Sequence, residues 1–173
     1  MRLLFLILLL TLDLAPIHAE TIVGVVKINK VLETVQEGKA IKLQIQTFIT
    51  EKRAILGGME KRAKLLEAKI EKQTIHDSIG DTSQRDLKEL SLEIESKSAE
   101  MQSELEKLEA DLTNPLKQRV TSVIKEVSLK NGVDLTTDSS TSNFVYIARE
   151  KDLTNEVITV YDQKYPAKGY GAK

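Results

Sequence analysis

The chain has 173 residues, 41% hydrophobic and 29% charged, with only 4% aromatics and no tryptophan, a balance that suits long amphipathic helices rather than a compact core built on aromatic bulk. Its formal charge is −1, from 25 basic and 26 acidic residues, so no basic excess points to nucleic acid. The absence of cysteine excludes disulfides, thiolate zinc sites, a cysteine nucleophile and a lipid anchor on an N-terminal cysteine.

The first segment reads as a targeting leader, residues 1–19. Arg2 supplies the positive start, Leu3 to Leu12 the apolar run, and Ala15, Pro16 and Ala19 the breaker and small residue before Glu20. That is the order of a secretory signal peptide cut after Ala19. Ile17, three positions before the cut, leaves the bond open by a residue or two. The run is too short to span the roughly 30 Å of a bilayer core, and Asp13 would lie inside it. The mature protein is therefore expected outside the cytoplasm and in solution.

Ile22-Val23-Gly24-Val25-Val26 is β-branched on both faces and predicts a strand buried on both sides. Asn29 can cap the helical pattern of Val31, Leu32 and Val35, which Gly38 is placed to bend. Two apolar ladders follow. Going out, Ile41, Ile45, Phe48, Ile55, Met59, Leu66 and Ile70 recur at steps of three, four or seven. Coming back, Leu87, Leu90, Ile94, Met101, Leu105, Leu108, Leu112 and Leu116 do the same, as if reflected about Gly80. Such a seam must be buried against another helix, and the arms are each other's natural partners. Residues 39–115 thus predict an antiparallel coiled-coil hairpin, a finger with arms of roughly 50 Å at the helical rise. A finger of that shape has no room for a catalytic pocket.

Gly57-Gly58 costs such a helix about 1 kcal/mol per glycine against alanine. No Gly-Lys-Ser/Thr signature surrounds the pair, so it reads as a hinge rather than a phosphate loop. His76 to Ser83 is rich in Gly, Asp and Ser and predicts the turn at the tip, with Thr82 or Ser83 capping the returning helix. At Asn114-Pro115 the helix either kinks or stops and restarts. Leu116 to Leu129 carries Val120, Val123, Ile124 and Val127 on one stripe, and Asn131-Gly132 ends it. Val133 to Thr137 alternates like a half-buried strand, Phe144 to Ile147 reads as another strand, and Asp152 caps a last helix bearing Leu153, Val157, Val160 and Tyr161. Residues 166–173 read as a loose tail.

The fold class is therefore α+β, mostly α: a long helical hairpin projecting from a small β-strand body, residues 20–38 and 116–165. Three short strands leave exposed edges, so copies are expected to assemble and complete a shared sheet. No His-Glu-x-x-His motif, nucleophile elbow or nucleotide loop occurs, and a second histidine is lacking after the leader, so neither an enzyme nor a cofactor is expected.

In this order the chain resembles the Skp/OmpH periplasmic chaperones. The likeness rests on Ile22-Val23-Gly24-Val25-Val26-Lys27-Ile28-Asn29, on the hairpin's length, and on Asn131-Gly132-Val133-Asp134-Leu135, the stretch Phe144 to Ile147 and Lys151-Asp152-Leu153-Thr154. The resemblance implies a periplasmic homotrimer whose fingers surround a cavity and hold unfolded outer-membrane proteins without ATP. Familiar members are strongly basic, whereas this chain has a sequence pI ≈ 6.2, which leaves peripheral contact with membrane lipid open. Charge is still segregated: residues 39–72 hold nine basic and four acidic residues, and 85–119 hold six basic and nine acidic. Attraction between the arms accounts for that as well as any partner does.

For client contact the candidates are the off-ladder residues Leu65, Ile75, Ile79 and Leu92, with a wide seam or tip packing as the alternative. For the trimer body they are Val23, Val25, Val133, Leu135, Phe144 and Tyr146, with burial inside one subunit as the alternative. The competing function is a structural spacer or adaptor of the cell envelope that uses the finger to bind one folded partner.

Overall fold

The computed structural model describes residues 21–72 and 79–166. The leader ending at Ala19, Ile75 and His76 at the tip, and the tail from Ala167 onward lie outside them. In chain order the elements are β1 (Val23–Val26), α1 (Ile28–Thr34), α2 (Gln36–Lys72), α3 (Ile79–Lys130), β2 (Leu135–Asp138), β3 (Glu150–Asp152) and α4 (Thr154–Lys164).

The two ladders do form one hairpin. α2 has 37 residues and α3 has 52, and they pack on each other more extensively than any other pair of elements. Their register is visible in two ion pairs. Glu37 meets Arg119 and Lys52 meets Glu104, so a rise of fifteen in one index (52 − 37) matches a fall of fifteen in the other (119 − 104). The arms therefore mirror about residue 78, two positions from Gly80. Ile41, Leu90, Met101 and Leu116 are buried, and the other inward residues are half-buried, as expected where two helices alone shield a seam.

Ile55 is the ladder residue that the structure moves off the seam. It is exposed, and Leu56 takes the inward position. The steps from Phe48 to Lys52 to Leu56 are both four, a stutter that displaces a seven-residue repeat by one position. Lys52 fills the intervening place. Its Nζ lies 5.1 Å from the centroid of the Phe48 ring and bonds Glu104 Oε2 at 2.5 Å.

Pro115 does not stop the returning helix, because α3 runs through it from Ile79 to Lys130. The proline leaves the Asp111 carbonyl without its helical partner. It is tolerable since Asn114 and Pro115 are exposed and water can meet the orphaned group. α3 also begins earlier than the expected cap at Thr82 or Ser83, with Ile79 and Gly80 already helical. The first turn of a helix makes no demand on its own N–H groups, so a glycine costs little there. α2 likewise passes unbroken through Gly57-Gly58.

The body is a three-stranded sheet in the order β2-β1-β3, parallel throughout. The central β1 is the run that is β-branched on both faces, and its register pairs Val23 with Leu135 and with Glu150. One face of the sheet packs on helices. A Cβ on Gly24 would stand 2.8 Å from Thr136 Oγ1 and 3.0 Å from Leu153 Cδ1, so only glycine allows that approach. The core joins Val26 to Val31, Val35, Ile41, Leu116, Val120, Val123, Val127, Leu153, Val157 and Tyr161.

Two local expectations change. Phe144 to Ile147 is not a strand; β3 is Glu150–Asp152 instead. β-propensity describes a fit to a pleated, half-buried surface, and this segment finds none within one chain, whereas residues 150–152 gain the open edge of β1. Asn29 does not cap α1, which starts at Ile28. The caps come from across the sheet: the Ile28 N–H donates to Asp138 Oδ1 at 3.4 Å and the Lys27 N–H to Thr154 Oγ1 at 3.0 Å. Asp152 does accept the Thr154 N–H, at 2.8 Å, one residue ahead of the cap position itself at Leu153. At the end of α3, Gly132 adopts φ +62°, and the Val133 N–H donates to Ser128 O at 3.0 Å, the left-handed closure that Asn-Gly predicts.

Candidate functional site

The described surface offers no enclosed chemical centre. Among the described residues, no group of three or more His, Cys, Asp or Glu could hold a metal, and no helix is long and apolar enough to cross a membrane. What it offers is exposed apolar area on the finger and at the sheet.

On the finger, Leu65 of α2 is 70% exposed and Leu92 of α3 is 58% exposed. The register that pairs Glu37 with Arg119 sets residue 65 across from residue 91, so the two leucines stand at the same height, one on each arm. Leu65 belongs to a shallow concavity of ≈ 410 Å³ that it shares with Arg62, Leu66, Ala68, Lys69 and Lys72. Of the other two candidates, Ile75 lies outside the described residues, and Ile79 is the first residue of α3. Leu43 and Ile55 are also exposed. Leu43 sits off the ladder between Ile41 and Ile45, so the rule that singles out Leu65 and Leu92 also reaches it; Ile55 was hidden by the stutter.

A second concavity, ≈ 300 Å³, lies at the root of the finger between Leu32, Ile41, Ile45, Thr113 and Leu116. It is open to solvent and apolar. Along the arms charged side chains pair within and between the helices. Lys97 Nζ bonds Glu100 Oε2 at 2.6 Å, which raises the lysine pKa and lowers that of the carboxylate. Lys52 to Glu104 ties the basic arm to the acidic one.

At the sheet, Val25 and Val133 are buried and Val23 is half-buried within the single chain. The other three body candidates are not. Leu135 is 50% exposed on edge strand β2, and Phe144 is exposed together with Tyr146. Val145 between them was not singled out by the sequence, yet it is wholly exposed. Three consecutive large apolar residues in water are costly, about 1.5–3 kcal/mol each relative to burial.

Among the described residues, the arrangement offers dispersed apolar surface rather than one pocket. Scattered leucines on a slender rod give weak contacts spread over tens of ångströms, suited to an extended apolar chain and unsuited to a small molecule.

Residues 22–161 match the sequence profile of the family described as Outer membrane protein (OmpH-like). Among solved structures, the chain is similar to an OmpH-like protein of Caulobacter crescentus that is proposed to be an outer membrane chaperone. The TM-score is 0.66 at 18% identity, over 84% of this chain and 84% of that one, which is a likeness of fold. No curated protein matches the sequence.

Proposed function

This chain belongs to the OmpH-like family of outer membrane proteins, and from that membership we propose that it is a periplasmic holdase chaperone that works without ATP. Its fingers hold unfolded outer-membrane proteins in a space between copies and keep them from aggregating. The observation that carries the reading is the pairing of exposed Leu65 and Leu92 at one height of a long two-helix finger. An unfolded membrane β-barrel exposes apolar strands that stick to one another in water. Many weak contacts from several fingers retain such a chain through avidity, while each single contact stays easy to release.

Assembly supplies the several fingers. The exposed run Phe144-Val145-Tyr146 and the exposed Leu135 on edge strand β2 support a body completed by further copies, because a neighbour's strands would cover such surfaces. A homotrimer is the copy number that the family resemblance implies. Lys61, Arg62, Lys64, Lys69 and Lys72 on the outer part of α2 support peripheral contact with anionic lipid as an accessory to delivery.

The test is dilution of several unrelated, urea-unfolded outer-membrane β-barrels into buffer with the mature chain at a few-fold molar excess. A holdase suppresses light scattering for all of them. A chain that leaves aggregation unchanged, and instead retains one folded envelope protein, is a structural adaptor.

A further inference from the structure

One buried charge takes no part in the surfaces described above. Glu37, in the first turn of α2, is 5% exposed. Its carboxylate is divided between two other helices. Arg119 Nη1 of α3 donates to Oε1 at 2.6 Å, and the Tyr161 hydroxyl of α4 donates to Oε2 at 2.5 Å. Arg119 also lies 5.4 Å from the centroid of the Tyr165 ring, which packs on the Tyr161 ring at 5.0 Å. One residue earlier, the Gln36 N–H donates to Asp162 Oδ1 at 2.9 Å.

These bonds fall at a mechanically particular place. α1 and α2 are separated by an extended residue, Val35 with ψ 148°, so the chain is not a continuous rod there. α3 does run continuously from Ile79 into the core, but Pro115 removes one of its hydrogen bonds. Glu37, Arg119 and Tyr161 all lie on the body side of that weak point. Two packed helices can bend together only if one slides along the other. An arm pinned at its base cannot slide, so pinning α2 resists the bend at Pro115.

Stability alone is a poor reason for such a group. A buried ion pair is seldom more stabilising than apolar residues of the same volume. A carboxylate whose two oxygens engage two different elements does, however, fix their relative position as sliding apolar contacts do not. Burial, and then the bond to Glu37, push the Tyr161 hydroxyl well above the usual tyrosine range, while the bond to Glu37 raises Arg119. Both therefore remain donors.

We propose that Glu37, held by Arg119 and Tyr161, is a positioning residue that stops α2 sliding past α3 and so fixes the direction of the finger. The leverage is large. From Pro115 to the start of α3 is about 54 Å at the helical rise, so about 10° of play moves the tip by roughly 9 Å. The proposal concerns the finger's geometry; its consequence for captured chains rests on the holding function proposed above.

Because the chain has no cysteine, a spin-label pair can be introduced cleanly at Lys64→Cys on α2 and Asn155→Cys on α4. The labelled chain is diluted into unlabelled chain so that each assembly carries one pair. Electron–electron distance measurements should give a narrow distribution that at least doubles in width in Tyr161→Phe, which keeps the ring and loses the hydroxyl, and in Glu37→Gln. Circular dichroism on the same samples should show unchanged helix content in Tyr161→Phe, which decides the matter by itself if Glu37→Gln unfolds. An unchanged width in a folded Tyr161→Phe overturns the proposal. A native chain that fails to suppress client aggregation overturns the holding function instead, and leaves the distances to judge the clamp.

Discussion

Gly38 sits beneath the backbone of Leu32: a Cβ built on it would stand 1.7 Å from the Leu32 carbonyl oxygen. Backbone meets backbone here, so no side chain can move aside. Gly38→Ala must therefore reopen the junction between α1 and α2, at a cost toward the upper end of overpacking, about 3 kcal/mol or more. Thermal melting followed by circular dichroism should show a drop of several degrees. A variant that melts with the wild type would mean that the junction is looser than the structure shows.

Gly57 and Gly58 are the opposite case. Nothing lies within 4 Å of a Cβ at either position, and both sit inside α2. Replacing each with alanine should stabilise the helix by about 1 kcal/mol through propensity alone. Hydrogen exchange across residues 50–65 should slow by several-fold per substitution. If the pair is the hinge of the finger, the double variant should also hold large clients less well than small ones. Equal exchange in both proteins would remove any mechanical role from the pair.

Capture should depend on exposed leucines that contribute nothing to the core. Leu65→Gln with Leu92→Gln should weaken client affinity by about tenfold or more, because even partial loss of two apolar contacts, each worth about 1.5–3 kcal/mol at full burial, exceeds the roughly 1.4 kcal/mol that makes a factor of ten. Melting should stay within a degree or two. Loss of affinity without loss of stability is the signature sought; unchanged affinity would place the client elsewhere on the finger.

Acid should loosen the body through its capping carboxylates. Asp152 is held below its ordinary pKa by the Thr154 hydroxyl and N–H; at Asp138 burial pushes upward, but bonds from Ser140 and Ile28 outweigh it. A carboxylate with a depressed folded pKa contributes stability above its unfolded value, about 3.9 for aspartate, and loses it as pH falls through the lower folded value. The melting temperature should therefore hold from pH 8 to pH 5 and fall below about pH 4. Asp152→Asn should be less stable at neutral pH and lose less on acidification. Parallel curves for the two proteins would contradict this account.

The finger was legible because a seam repeats. Ile41, Leu90, Met101 and Leu116 are buried where the ladder put them, since a period of three and four leaves few other solutions. Ile55 was misplaced because the stutter at Lys52 puts a charged side chain on the seam, and an apolar ladder cannot see it. β3 is three charged residues, Glu150–Asp152, whose extended form comes from pairing with β1 and from no preference of their own. The strand expected at Phe144 shows the converse, high propensity with no partner in its own chain. Glu37 was invisible for a third reason: Arg119 and Tyr161 are 82 and 124 residues away in sequence, and pattern reading works over tens of residues.

Light scattering of the purified mature chain, alone and then with an unfolded outer-membrane β-barrel, tests the central claim most directly. The account predicts a mass of three copies, reduced in a Val145→Ser, Tyr146→Ser variant, and a soluble complex of those three copies with one client. A stable single copy that leaves the client to precipitate would contradict it.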